Sequence, residues 1–166
     1  WEGKFNDEVE DSIIKAEWFD ACVDAHKIDK LKEVFKPLGA RIAAHDPSDT
    51  GKDNKGYAMR HGSVFHRICE KNTGEIDIGC DWATNLAKDD NADWFIWDGD
   101  GMGAGLKRQV STNLDGTRTK YQMFKGSLSG KGQDNAEATY QKGYGGKAID
   151  LTNAEVFKNK RAQYYI

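Results

Sequence analysis

Apolar positions along the chain switch between a helical and a strand period several times, and the switches predict the elements. Between Ile13 and about Lys36, Trp18, Cys22 and Ala25 share one helical face, and Ile28, Leu31, Val34 and Phe35 continue it. One long helix is predicted there, stopped by Pro37 and Gly39. ARIAAHD (40–46) is a compact apolar run ending in a carboxylate, the pattern of a buried central strand. After PSDTGKDN, a loop dense in turn formers, GYAMRHG (56–62) and SVFHRICE (63–70) alternate apolar and polar and join at His61-Gly62-Ser63. These three segments predict an antiparallel meander with one solvated face.

From Glu75 to Lys88 the helical period returns, with Ile76, Cys80, Ala83 and Ala87 on one side. DWFIWD (93–98) is a second apolar run that ends in a carboxylate. A helix from about Met102 carries the stripe Leu106, Val110 and Leu114, and KYQMFK (120–125) reads as the next strand. The glycine-rich stretch 126–147 predicts a long mobile loop, because glycine leaves the backbone so many states. A closing helix is predicted from Thr152 to Tyr164, with Thr152 and Glu155 as its capping box. The order β-β-β-α-β-α-β-loop-α predicts an α/β chain with a mixed central sheet flanked by helices.

The chain has 166 residues, enough for one domain with a real core. No apolar run approaches the roughly 20 residues needed to cross a bilayer, so no membrane partner is expected. The opening WEGKFNDEVEDS is acidic and lacks the apolar stretch of a secretory signal. With no starting Met, the chain reads as a piece of a longer protein. Cys22, Cys69 and Cys80 are an odd number without metal-ligand spacing, so they are expected to be reduced core thiols.

The net charge of −3 conceals an asymmetry. Residues 1–106 hold 13 Lys/Arg against 22 Asp/Glu, whereas residues 107–166 hold 11 against 5. The basic part, including Lys107, Arg108, Arg118, Lys120, Lys125, Lys131 and Lys142, fits a surface that faces a polyanion. It fits a solvated surface equally well.

Asp46 and Asp98 each end a run that reads as a central strand, the place where α/β sheets present functional side chains. Two carboxylates brought close repel unless a cation lies between them, and Mg²⁺ or Mn²⁺ suits oxygen ligands. A pair of such ions about 4 Å apart serves phosphodiester hydrolysis. The competing account is that both aspartates cap turns. Gly99-x-Gly101-x-x-Ala104 also matches a dinucleotide fingerprint, but its strand is the fourth and no acid occurs from Gly116 to Gln133, where the ribose ligand is expected. Those glycines serve equally to let a backbone or phosphate pass close to Asp98. An EF-hand counted from Asp46 would need Glu where Tyr57 stands, and no P-loop motif occurs. His45 should face away from Asp46 and be structural, and Trp94 and Trp97 read as packing residues.

HDPSDTGKDNKGYAMRHGSVF resembles the first strand, loop and hairpin of the nuclease domain of tailed-phage large terminase subunits. FIWDGDGMGAGLKRQVSTNL resembles that family's second acidic motif, and FKNKRAQYYI its Asn-x-Arg-Ala-Gln helix. DSIIKAEWFDAC resembles the connector before the domain, so the likeness runs through nearly the whole chain. It implies a helical connector over 1–39 and an RNase H-like nuclease domain over 40–166, lacking its extreme C-terminal part. The implied sheet joins the antiparallel three-strand meander to parallel strands.

The resemblance further implies an endonuclease acting on concatemeric double-stranded DNA during genome packaging, with a two-metal Mg²⁺ or Mn²⁺ site. Asp46 and Asp98 carry over as catalytic metal ligands and Asp53 as a supporting acid. Lys131, Lys142 and Lys147, from their place in the glycine-rich stretch, are candidates to touch the phosphate backbone, and a flexible solvated loop accounts for them equally well. The family's third metal-binding Asp lies beyond the Asn-x-Arg-Ala-Gln helix, and Asp134, Glu137, Asp150 and Glu155 do not match its motif. Implied partners are the terminase ATPase domain, portal protein and small terminase subunit, in the cytoplasm of an infected bacterium and outside the virion. A non-catalytic docking module of the packaging motor is the alternative from another class.

Overall fold

The structure is a computed structural model that describes residues 15–132, 134–141 and 148–164. Five strands make the main sheet: β1 (Arg41–Asp46), β2 (Lys55–His61), β3 (Val64–Lys71), β4 (Trp94–Asp98) and β5 (Lys120–Phe124). Their spatial order is β3-β2-β1-β4-β5. The β1–β2 and β2–β3 pairs are antiparallel, whereas β4 lies parallel to both β1 and β5. This is the mixed α/β sheet expected from the element order.

The core lies on one face of that sheet. Ala43 and His45 of β1, Tyr57 and Met59 of β2, and Phe95 and Trp97 of β4 alternate inward with the period of a pleated strand. They meet α2 (Ile76–Asp89) and α3 (Lys107–Leu114). The buried side of α2 is made of small groups, Gly79, Cys80, Ala83, Thr84 and Ala87, so the helix approaches the sheet closely. Val110 and Leu114 of α3 complete the layer. Ala44, Asp46 and Asp98 project to the other face, where Ala44 and Asp46 are exposed and Asp98 half-buried.

Lys55 is an unusual core residue at 1% exposure. Its ammonium lies 3.5 Å from the Asp49 carbonyl, and its stem runs along Gly79 of α2. Asp49 also accepts from the Ile76 amide at 3.2 Å, so the loop after β1 is tied to the start of α2.

Three expected elements differ. The predicted helix from Ile13 to Lys36 holds only α1 (Ala16–Cys22) and a 3-10 turn at Ala25–Lys27. Asp24 between them is left-handed, with φ 56°. Trp18, Phe19, Val23, Ile28 and Val34 are all exposed, and a helical period without a surface to pack on does not sustain a helix of that length. Ile13 and Ile14 lie outside the described residues.

The glycine-rich stretch is not simply a loop. Its β6 (Thr139–Gln141) pairs antiparallel with β7 (Ala148–Thr152) in a separate two-stranded sheet. The closing helix is split into α4 (Asn153–Val156) and α5 (Lys160–Gln163). The Thr152 amide donates to Glu155 at 2.8 Å as predicted, but Phe157 leaves helical geometry and is buried. Asn159 then starts a new helix by accepting from the Ala162 amide at 2.9 Å. Of the three free thiols only Cys80 is in the core; Cys69 is half-buried and Cys22 exposed, because α1 packs on no core. Among the described residues no helix is long and apolar enough to cross a membrane.

Gly79→Ala tests the close packing of α2. On an open helix face the change gains about 1 kcal/mol in propensity. Here the new methyl would lie 2.5 Å from Lys55 Cδ and 2.8 Å from Cε. Overpacking of this kind costs about 1–3 kcal/mol, so the melting temperature should fall by a few degrees in calorimetry. A rise would mean that the buried Lys55 stem yields freely.

Candidate active site

The parallel register of β1 on β4 positions the two acids. It pairs Ile42 with Trp94 and His45 with Trp97, an offset that brings Asp46 and Asp98 opposite each other at the strand ends. Neighbouring strands lie about 4.8 Å apart, so the two carboxylates leave adjacent backbones on one face. On the far side of Asp46 the register partner is Gly56, where a Cβ would come within 3.3 Å of the aspartate Cβ. Glycine there leaves the flank of Asp46 clear.

The turn after Asp98 is fixed by hydrogen bonds. Asp98 Oδ1 accepts from the Asp100 amide at 2.9 Å, and the Gly99 amide donates to Phe124 of β5 at 2.7 Å. Buried Trp97 donates from Nε1 to the Gly103 carbonyl at 2.8 Å, holding the following 3-10 turn, Gly101–Leu106, under the strand end. A Cβ on Gly103 would fall 1.8 Å from the Asp98 carbonyl oxygen and 3.0 Å from Pro47 Cγ. Gly103 therefore sits between the chain segments that leave the two acids. Of the dinucleotide-like glycines, Gly99 packs against Met123 of β5 and Gly101 takes a left-handed turn with φ 58°, while the glycine packed against Asp98 is Gly103, outside that pattern.

Two further residues complete the constellation. Asp100 accepts from Ser127 twice, from its hydroxyl at 2.7 Å and its amide at 2.9 Å. Arg161, carried by α5, places Nη2 3.2 Å from Asp100 Oδ2 and 3.6 Å from Asp98 Oδ2. The Ser127 hydroxyl and amide, then Arg161 and Lys125, hold the Asp100 carboxyl below the usual carboxylate range. Sequence reading did not single out either residue. Asp100 lay within the quoted DGDG and Arg161 within NKRAQ, yet 61 positions separate them and no local pattern links them.

The remaining candidates sit elsewhere. Asp53 is exposed on the loop between β1 and β2, where its carbonyl accepts from Ser48 at 2.9 Å. Lys142 and Lys147 lie outside the described residues, as does the side chain of Lys131. No group of three His, Cys, Asp or Glu side chains suited to hold a metal occurs among the described residues.

His45 faces the core, opposite to Asp46. Its Nδ1 is 2.9 Å from the Gly56 carbonyl, its ring lies near Trp82 and Phe95, and its Nε2 is buried without a partner. Burial pushes its pKa down, opposed by the Gly56 carbonyl and Asp46 and assisted by Lys55. Trp97 is core, whereas half-buried Trp94 has the Lys120 ammonium 5.5 Å above its ring.

A mixed five-stranded sheet flanked by helices, with acids at the ends of adjacent central strands, is the RNase H-like arrangement. No protein-family model and no curated protein matches the chain. Among solved structures, the nuclease domain of the large terminase subunit gp2 of bacterial virus Sf6 is 50% identical to it. That match covers 93% of this chain and 61% of the other, with a TM-score of 0.77. A point mutant of that nuclease domain with manganese and beta-thujaplicinol is 49% identical over the same shares, with a TM-score of 0.76. A mutant of gp2 with calcium is 50% identical over the same shares, also at 0.76. The chain belongs to the family of phage large-terminase nuclease domains. It spans 61% of the length of these relatives.

Two measurements check this geometry. Gly103→Ala should displace the end of β4, at a cost of about 2–4 kcal/mol and a melting temperature lower by roughly 5–10 °C. An unchanged melting temperature would contradict the close approach to Asp98. The neutral His45 of the folded state should make stability fall as pH drops below about 6.5 towards its depressed folded pKa, by at most about 1.4 kcal/mol per unit. The unfolded chain takes up that proton first, so acid favours unfolding. His45→Gln should flatten the pH 7-to-5 slope in thermal melts, and an unaltered slope would count against the assignment.

Proposed function

We propose that this chain is the acidic core of a divalent-metal-dependent endonuclease that hydrolyses concatemeric double-stranded DNA during viral genome packaging. The observation that carries the reading is the pairing of Asp46 with Asp98 on an accessible sheet face, in a chain half-identical to a terminase nuclease domain. Solved structures of that relative include forms with manganese and with calcium.

The residues fit a hard cation in part. Asp46 and Asp98 offer carboxylate oxygens whose mutual repulsion a divalent ion relieves, and Mg²⁺ or Mn²⁺ commonly keeps waters in its remaining positions. When bound, a pair of such ions supplies an activated water and stabilises the leaving oxygen. The chain's own part is orientation. The β1–β4 register puts both carboxylates on one face at adjacent strand ends, the Asp100 amide holds Asp98 Oδ1, and Gly56 keeps one flank open. A third carboxylate from elsewhere in the whole protein is part of the proposal.

Asp53 is proposed as a supporting acid, and Lys131, Lys142 and Lys147 as DNA contacts. We also assign residues 1–39 to a connector and 40–166 to the nuclease domain. Proposed partners are DNA, the terminase ATPase domain, the portal and the small terminase subunit, in the cytoplasm of the infected bacterium and outside the virion. A docking role has one observation in its favour. The bulge between β2 and β3 turns Phe65 and Ile68 to one face, 59% and 72% exposed.

The test is plasmid nicking with Mn²⁺ titration, on this chain and on the complete terminase. Asp46→Asn and Asp98→Asn should each slow cleavage about a hundredfold or more, the scale of losing one charge-stabilising group. Undiminished cleavage by both variants would leave docking as the better account.

A further inference from the structure

Among the described residues Arg161 is the basic side chain that pairs with Asp98, and its placement is built from several directions. Its backbone amide donates to Gly126 at 2.8 Å, fixing α5 against the turn after β5. A Cβ at Gly126 would lie 2.9 Å from Arg161 Nε, so glycine gives the guanidinium its path. Beside it Lys160 donates to Asp134 at 2.8 Å, and the Asn159 cap holds the helix start.

The chemistry at Asp98 is divided between its two oxygens. Oδ1 accepts from the Asp100 amide, which leaves Oδ2 as the oxygen free to take a cation. Arg161 Nη2 stands against that oxygen at 3.6 Å, an ion-pair distance too long for a hydrogen bond. Its hydrogen bond goes instead to Asp100 Oδ2, at 3.2 Å. A guanidinium keeps its charge at any working pH, so this counter-charge is permanent. The Arg161 side chain is 54% exposed, so the attraction is screened and the group can give way to a doubly charged ion.

We propose that Arg161 is a built-in counter-cation of Asp98, held by Asp100, which Ser127 in turn anchors, and that it competes with divalent metal for Asp98 and sets how tightly the site loads. The assignment rests on the reading of Asp46 and Asp98 as metal ligands. Asp100 has two functions in it: its charge favours the incoming metal, and its oxygen keeps the displaced guanidinium beside the site. Arg161 is a positioning residue, since it acts through Asp98.

The test is Mn²⁺ binding to the full chain by calorimetry, with the electron spin resonance of free Mn²⁺ as a second readout. A unit charge about 4 Å from a ligand contributes about 1 kcal/mol against another unit charge in water, so Arg161→Gln should tighten Mn²⁺ binding roughly three- to tenfold. Arg161→Lys should stay near the parent, and Asp100→Asn should weaken binding by a similar factor. The Arg161→Gln gain should shrink in 1 M salt, where the screening length is about 3 Å. Unchanged or weaker binding by Arg161→Gln, while Asp98→Asn abolishes binding, overturns the counter-cation and leaves the metal site standing. Binding by Asp98→Asn equal to the parent's overturns both.

Discussion

The constraint on which the molecule depends is the register of β1 against β4. A slip of one residue would turn every side chain of one strand to the opposite face, putting one acid into the core and its neighbour out of reach. The register is set at the other end of the strands by Asp93. Its carboxylate accepts from the Arg41 amide at 2.8 Å, while its own amide donates to the Arg41 carbonyl at 2.8 Å and its carbonyl accepts from Lys120 at 2.9 Å. One residue thus ties the starts of β1, β4 and β5. The Arg41 amide, with Arg118, holds this carboxyl below the usual range, so it stays charged where the protein works. The core then locks what Asp93 begins, because Phe95, Trp97, Ala43 and His45 can be buried together in only one alignment.

From that register the site follows with few added parts. Small residues do much of the work: Gly56 clears Asp46, Gly103 admits the chain beneath Asp98, and Gly126 admits Arg161. Trp97 supplies the opposite property, a large rigid ring whose single donor fixes the turn carrying the glycines. The acids consequently sit on a frame buried on one face, while their carboxylates remain on the accessible face. On the proposed reading, rigid support under an open carboxylate pair suits the binding of cations without rearrangement.

Much of this was legible in the sequence where period and burial agree. The two apolar runs ending at Asp46 and Asp98 announced adjacent central strands, and the alternation of GYAMRHG and SVFHRICE announced the meander. Amphipathic order failed where little surface receives it: residues 16–36 have a helical period, yet Trp18, Phe19, Val23, Ile28 and Val34 are exposed, and only α1 and the short turn at Ala25–Lys27 form. It failed again at the glycine-rich stretch, where pairing of β6 with β7 depends on partners that propensity does not see. The closing segment broke because the Phe157 side chain is buried and Asn159 offers a second cap. Asp100 and Arg161 were beyond reach for a related reason. Their roles exist only as a contact between distant segments, and neither carries a local signature.

The charge asymmetry of the chain takes on a different meaning in this light. An excess of positive charge after residue 106 read as a surface for a polyanion, yet part of it answers acids within the molecule. Arg118 pairs with Asp93, Lys160 with Asp134, and Arg161 with Asp98 and Asp100. Three of the basic residues counted in the later half therefore neutralise carboxylates inside the fold, two of them on acids of the earlier half. Net charge by segment cannot separate that internal use from an external one, because both look identical along the chain. The distinction is geometric. Lys107 and Arg108 on the first turn of α3 are exposed and form no ion pair among the described residues, whereas Arg161 faces Asp98 and Asp100. On the proposed reading, a phosphate backbone arriving at Asp46 and Asp98 would first meet a site whose own cation is already in place, and loading of metal and admission of DNA would be parts of one charge balance.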